Sequence, residues 1–271
     1  MKGRPKNTAQ PLPAGLDDLG DEFKERDILR ASHKPTDRRN NSVRCAMPPA
    51  FHPYGTSHKA ALAVTLVVFI VMLVLARTRF AALSQKILGG VLLALYPVGL
   101  LFHSGGGSLS VQTGLPLQFC DVATIAGGIA LWTRRQFWCE VVYFFGLAGT
   151  LQGLLTPALI YEYPDLRFFS FFIMHGGVPI TSLYVVTAMK HRPRPGAVKR
   201  VMLFSLGWYA VIAMVNSVLN TNYAFQCAKP PQASLFDQLG PWPWYNFTAI
   251  VVGLVFYTVL YLPFAFLRRK A

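Results

Sequence analysis

From residue 60 onward the chain is a succession of apolar runs separated by short polar breaks. Each run is close to the roughly 20 residues that cross a bilayer as a helix. The runs cover about 60–77, 86–103, 115–133, 137–157, 167–189, 198–220 and 243–267. None alternates with the period of two that a half-buried strand requires. The pattern therefore predicts an all-α fold, a polytopic membrane helix bundle of seven transmembrane helices. Pro97, Pro179 and Pro263 fall inside runs, which membrane helices tolerate where neighbours satisfy the freed backbone groups. No internal repeat supports an inverted-repeat transporter.

Composition agrees. Of 271 residues, 53% are hydrophobic and only 14% charged, against about 25% charged in a soluble domain. Residues 1–46 are different: charged, proline-bearing and poor in large apolar side chains. Such a segment cannot bury enough surface to fold. Two readings of it stand, a disordered basic tail or a start assigned too early, with Met47 opening the folded part. Nothing at the beginning has the apolar core of a signal peptide.

The net charge of +14 bears first on topology, because Lys and Arg collect in cytoplasmic loops. Arg77, Arg79, Lys86, Arg134, Arg135, Lys190, Arg192, Arg194, Lys199, Arg200, Arg268, Arg269 and Lys270 fall on one side of the seven runs, against Arg167 and Lys229 on the other. That bias predicts a bacterial inner (cytoplasmic) membrane protein with its N-terminus outside and its C-terminus cytoplasmic. Nucleic acid is not an expected partner, since no basic run is interleaved with aromatics on a folded module. Four cysteines without a C-x-x-C pair give no metal site, and no cofactor is expected.

With that topology, most polar residues in the runs lie in the outer half. Cys120 and Asp121 come about 8 Å into the third run and His175 about 12 Å into the fifth, at 1.5 Å per residue. Gln118, Gln152, Asn216, Asn220, His58 and His103 lie at the same side. Glu140 is the exception, at the inner end beside Arg134 and Arg135. Polar groups in lipid are costly and face a bundle interior or a watered cavity, so the set predicts an outward-facing polar pocket. Its bland counterpart is interhelical hydrogen bonding that holds the bundle together.

Cys120 and His175 are the pair with chemistry, a nucleophile and its base. Asp121, Gln152 or Asn216 would orient groups, and a disulfide between Cys120 and Cys227 is a rival. A buried Asp121 must be paired or protonated, with His175 or His103 as partners. A retinal protein is excluded, because 243–267 contains no lysine.

The segments "FHPYGTSHKAAL", "LPLQFCDVATIAG", "FFGLAGTLQGLLTP", "FFIMHGG", "VNSVLNTNYAFQCAKPPQASLFDQLGPWPWY" and "LYLPF" together resemble the bacterial YwaF-type integral membrane proteins, a group similar to eukaryotic transmembrane protein 164. The resemblance runs from about Phe51 to Phe264. It implies an acyltransferase remodelling glycerophospholipids through an intramembrane cysteine and histidine, here Cys120 and His175. Two function classes follow. One is a cysteine-dependent lipid acyltransferase or acyl hydrolase with a membrane lipid as substrate. The other is a non-catalytic membrane protein binding a small ligand or lipid, with transport a weaker alternative.

Overall fold

The computed structural model describes residues 51–104, 111, 114–230 and 235–269, with side chains described outside 100–104 and 269. The 1–46 tail and the question of its start lie outside the described residues. The regular elements described are helices: α1 (Thr56–Leu75), α2 (Ala81–Ser104), α3 (Phe119–Thr133), α4 (Gln136–Leu155), α5 (Leu166–Thr187), α6 (Ala197–Leu219) and α7 (Trp244–Arg269). Six are long and apolar enough to cross a membrane, so the chain is a helical membrane bundle as its pattern predicts.

The third run departs from expectation. A helix over 115–133 was predicted, but α3 begins at Phe119 and has 15 residues, about 22 Å at 1.5 Å per residue. That is shorter than the hydrocarbon core of about 30 Å. Pro116 therefore precedes the helix. Gln118 has an extended backbone (φ −63°, ψ 150°).

Non-helical backbone at such a depth survives only where its polar groups are satisfied by protein, and here they are. Leu115 N–H donates to the Tyr223 hydroxyl at 2.9 Å, and Tyr96 donates to the Gly114 carbonyl. Trp208 Nε1 donates to the Leu117 carbonyl at 3.1 Å. The Asp121 carboxylate accepts the Gln118 N–H at 3.0 Å.

The core is the packing of α3, α4 and α5, with α2 over α3. Close approach at small residues fixes it. Gly127 of α3 faces Leu92, Val142 and Thr181, whose atoms lie 3.2 to 3.6 Å from where a Cβ would stand. Most of α1, α6 and α7 stays unburied, as lipid-facing helices do.

α4 is not a uniform helix. Gly146–Thr150 is π-helical between α-helical Gln136–Phe145 and Leu151–Leu155. Single π turns inside α-helices frequently occur at functional sites.

At the loop-poor, basic end, Glu140 is fully buried and accepts from Arg194 Nε and Arg200 Nη2, each at 3.0 Å. These partners come from the loop before α6 and from α6 itself, not from Arg134 and Arg135, its neighbours in sequence. The first turn of α4 faces the 190–196 loop, which Gln136 holds by donating to the Arg192 carbonyl at 2.8 Å.

Candidate functional site

The sequence-predicted polar residues divide into two groups at one end of the bundle. The first is built on the turn after α6. Asn216, buried on the last turn of α6, donates to the Tyr223 carbonyl at 3.0 Å and accepts from the Tyr223 N–H and the Thr221 hydroxyl, each at 2.8 Å. Its amide also donates to Gln226 Oε1 at 3.2 Å. Gln118 Oε1 accepts the Ala224 N–H at 2.9 Å, joining this turn to the start of α3. Asn220 is exposed with φ +51° and ends α6, its N–H reaching the Asn216 carbonyl. Asn tolerates this left-handed conformation because its short side chain permits it.

Asp121 belongs here too. It caps α3: its carboxylate accepts the Gln118 backbone N–H, and among the described residues no hydrogen bond joins it to the expected His175. Gln118, Asp121, Asn216 and Asn220 thus satisfy backbone groups at helix ends. Tyr223, Gln226 and Thr221, which the sequence reading passed over, complete the network. The polar run "NTNYAFQC" between two apolar runs was their only signal.

The second group joins α1, α4 and α5. His58 is fully buried; Nδ1 accepts the Tyr54 N–H at 2.9 Å and Nε2 lies 3.0 Å from the Leu154 carbonyl. An acceptor role at one nitrogen and a donor role at the other fix the neutral tautomer. Both nitrogens are occupied, so His58 rivets α1 to the end of α4.

His175 differs. Its Nδ1 lies 3.0 Å from the Phe171 carbonyl, so Nδ1 carries the proton and Nε2 is left as a bare lone pair. Among the described residues nothing hydrogen-bonds Nε2. The ring is stacked on Phe171 at 4.0 Å between centroids. Its other flank is Gly153, where a Cβ would stand 2.6 Å from Cδ2 and 3.0 Å from Nε2. The two glycines that follow serve a different contact. A Cβ at Gly176 would stand 2.8 Å from Thr65 Oγ1 of α1, and one at Gly177 2.9 Å from Leu92 Cδ2 of α2. The His-Gly-Gly segment is thus a junction of four helices, with the imidazole on the α4 side.

Cys120 and Cys227 are free thiols, which overturns the disulfide between them. Cys120 is half-buried in the first turn of α3. No hydrogen bond joins Cys120 to His175 among the described residues. Their level is nevertheless shared. α4 runs antiparallel to both α3 and α5, which therefore run parallel, and Gly127 faces Thr181. Counting back two turns from that contact, Cys120 and His175 stand within about 2 Å of one height at 1.5 Å per residue. Between them passes the π-helical part of α4, where a Cβ on Gly149 would meet nothing within 4 Å. Gln152 is exposed on the same stretch, and the side chain of His103 lies outside the described residues.

A cavity of about 1060 Å³ opens between α1, α2 and α5. Its mouth carries His52, Ser57 and Glu162, and its shaft is apolar, with Val68, Met72 and Phe172 among its walls. Thr56 and Leu75 both line it, so it runs about 28 Å along α1 at 1.5 Å per residue. Partial burial works against the Glu162 charge, yet hydrogen bonds from the Ser57 hydroxyl and the Tyr163 amide hold its carboxyl below the usual range. The mouth therefore carries a carboxylate, with His52 beside it.

Among the described residues no group of three His, Cys, Asp or Glu side chains has the geometry to hold a metal ion.

No solved structure matches the chain. An uncharacterized protein of Treponema pallidum (strain Nichols) is 26% identical over 220 residues, covering 79% of this chain and 90% of that protein. The model of the TMEM164 family matches residues 53–261, a stretch that holds all seven helix cores, both histidine junctions and Cys120. The chain belongs to the TMEM164 family.

Proposed function

We propose that this membrane protein transfers or hydrolyses the acyl group of a membrane lipid through Cys120, with His175 as base. The observation that carries the reading is the His175 imidazole. Its proton is fixed on Nδ1 by the Phe171 carbonyl, and its bare Nε2 faces the glycine-lined stretch of α4 at the height of Cys120. An unprotonated imidazole nitrogen is the proton acceptor that a cysteine nucleophile needs.

In the reaction, Nε2 takes the proton of the Cys120 thiol as sulfur attacks the ester carbonyl carbon. A carbon–sulfur bond forms, the ester carbon–oxygen bond breaks, and the proton passes to the leaving lysolipid oxygen. A second hydroxyl, or water, then attacks the thioester, gives its proton to Nε2 and restores the thiol. The first-turn amides of α3 at Phe119 and Cys120 have no intrahelical carbonyl to bond, and they supply donors for the oxyanion. No hydrogen bond joins Sγ and Nε2 among the described residues, and catalytic hydrogen bonds often tighten only in the substrate complex. The long cavity between α1, α2 and α5 supports a lipid as substrate. In the cell, the basic end faces the cytoplasm and the Cys120 end faces outward.

The test is labelling of Cys120 by an acyl-bearing thiol-reactive probe in membranes, on a Cys45→Ser, Cys227→Ser background. Labelling is expected, is absent in Cys120→Ser, and slows about 100-fold or more in His175→Gln, the usual range for loss of a general base. Equal labelling of the His175→Gln protein, or none of the parent, sinks the reading.

A further inference from the structure

A second cavity, of about 560 Å³, lies between α6 and α7 at the opposite end of the bundle. Its shaft is Met202, Leu203, Leu254 and Thr258, and its mouth is at Lys199 and Tyr261. Leu203 is 59% and Leu254 42% exposed, so the groove opens sideways toward the acyl region of the bilayer. Its depth from Lys199 to Leu203 and from Tyr261 to Leu254 is of the order of 6–10 Å at 1.5 Å per residue.

The charge at the mouth is one-sided. Lys199 is exposed and has no partner among the described residues. Arg268 reaches Tyr261 at the rim, donating to its hydroxyl at 3.1 Å and to the Pro193 carbonyl. Both acceptors are neutral, so among the described residues no carboxylate compensates the guanidinium charge. Among the described residues Glu140 is the one carboxylate at this end, and it is buried and shared by Arg194 and Arg200. The α1–α5 cavity has the opposite character, with a Glu162 carboxylate at its mouth.

We infer that the α6–α7 groove is a binding site for an anionic phospholipid, with the phosphate at Lys199 and Arg268 and the upper part of one acyl chain between α6 and α7. An apolar chain alone would enter either cavity. The cationic rim selects the lipid by headgroup, as basic pockets between membrane helices do. The site is remote from Cys120 and independent of its chemistry, so it holds whether or not acyl transfer does.

The experiment uses the full chain in detergent with equal amounts of phosphatidylglycerol and phosphatidylcholine of the same chains, and counts bound lipid by native mass spectrometry. A preference for phosphatidylglycerol of threefold or more is expected. The double variant Lys199→Gln, Arg268→Gln brings it near one, and Lys59→Gln at the other end of the bundle leaves it unchanged. Leu254→Trp, which fills the groove and keeps both charges, removes the preference as well, so the result does not depend on the charge variant folding. Equal retention of the two lipids by the parent overturns the proposal. So does a preference that survives both the double variant and Leu254→Trp, or displacement of the lipid by millimolar glycerol phosphate, which would mark a site for free anions.

Discussion

At the residue scale, the sequence identifies which side chains are expensive in lipid, and it cannot tell how each is used. Gln118, Asp121 and Asn216 looked like pocket residues because a polar group at that depth needs a reason. Their reason is the backbone: they cap α3 and bind the turn after α6. His58 and His175 are alike in sequence, each near a glycine and aromatics. They part only when partners are known, because two occupied nitrogens make a rivet and one bare nitrogen leaves a lone pair for the base role proposed above. Gly153 tests the difference. A methyl there would stand 2.6 Å from the imidazole, so Gly153→Ala must turn the ring off Phe171. Cys120 labelling is expected to fall at least tenfold, on the order of what a misplaced general base costs, with little change in melting temperature. Gly149→Ala, whose methyl meets nothing within 4 Å, should leave labelling intact. Equal labelling of the two variants would show that the ring position is irrelevant.

At the element scale, the apolar runs located all seven helices to within a few residues, because length and hydropathy are what lipid requires. The exception is the start of α3. There, side chains from α2, α6 and the turn at Tyr223 satisfy an extended segment, and tertiary hydrogen bonding of that kind leaves no periodic trace. The start of α5 shows a local device that makes a prediction. Asp165 accepts the Arg167 N–H at 2.8 Å, and its two oxygens receive Arg167 Nε at 2.9 Å and Nη2 at 2.7 Å. The Arg167 side chain is the main cause that lowers the Asp165 pKa from 3.8 to about 2. A carboxyl lowered on folding stabilises the fold above its unfolded value and loses that contribution as pH falls through the folded one. Asp165→Asn keeps a capping acceptor and removes the charge. The parent should therefore melt above the variant at pH 5, with the gap closing as pH falls from about 4 to 2. Because the pair is solvent-exposed, the gap is small and shrinks with salt. A gap unchanged at pH 2 would rule out the ion pair as its source.

At the scale of the whole molecule, the bundle is fastened by polar networks at both ends and by close packing between them. The basic end depends on Glu140, which ties α4 to α6 through Arg194 and Arg200. Removing one member of a buried pair strands the rest, typically at about 3 to 5 kcal/mol. Both guanidiniums are partly exposed, so Glu140→Gln is expected near the bottom of that range, about 3 kcal/mol, measured as unfolding in mixed micelles. Arg135→Gln, close to Glu140 in sequence, should be within about 0.5 kcal/mol of the parent; a loss as large as that of Glu140→Gln would contradict the pairing.

The same asymmetry of charge predicts which end faces the cytoplasm. Cys227 is exposed and free at the end carrying the Cys120 level, and Lys199 is exposed at the basic end. If basic loops stay inside, a membrane-impermeant maleimide added to intact cells labels Cys227 on a Cys45→Ser background, and Cys227→Ser abolishes the signal. A Lys199→Cys, Cys227→Ser chain is then labelled only after permeabilisation. The reverse pattern would place the mouth of the α1–α5 cavity and the Cys120 level on the cytoplasmic side, and the acyl chemistry proposed for them would have to draw on lipid of the inner leaflet.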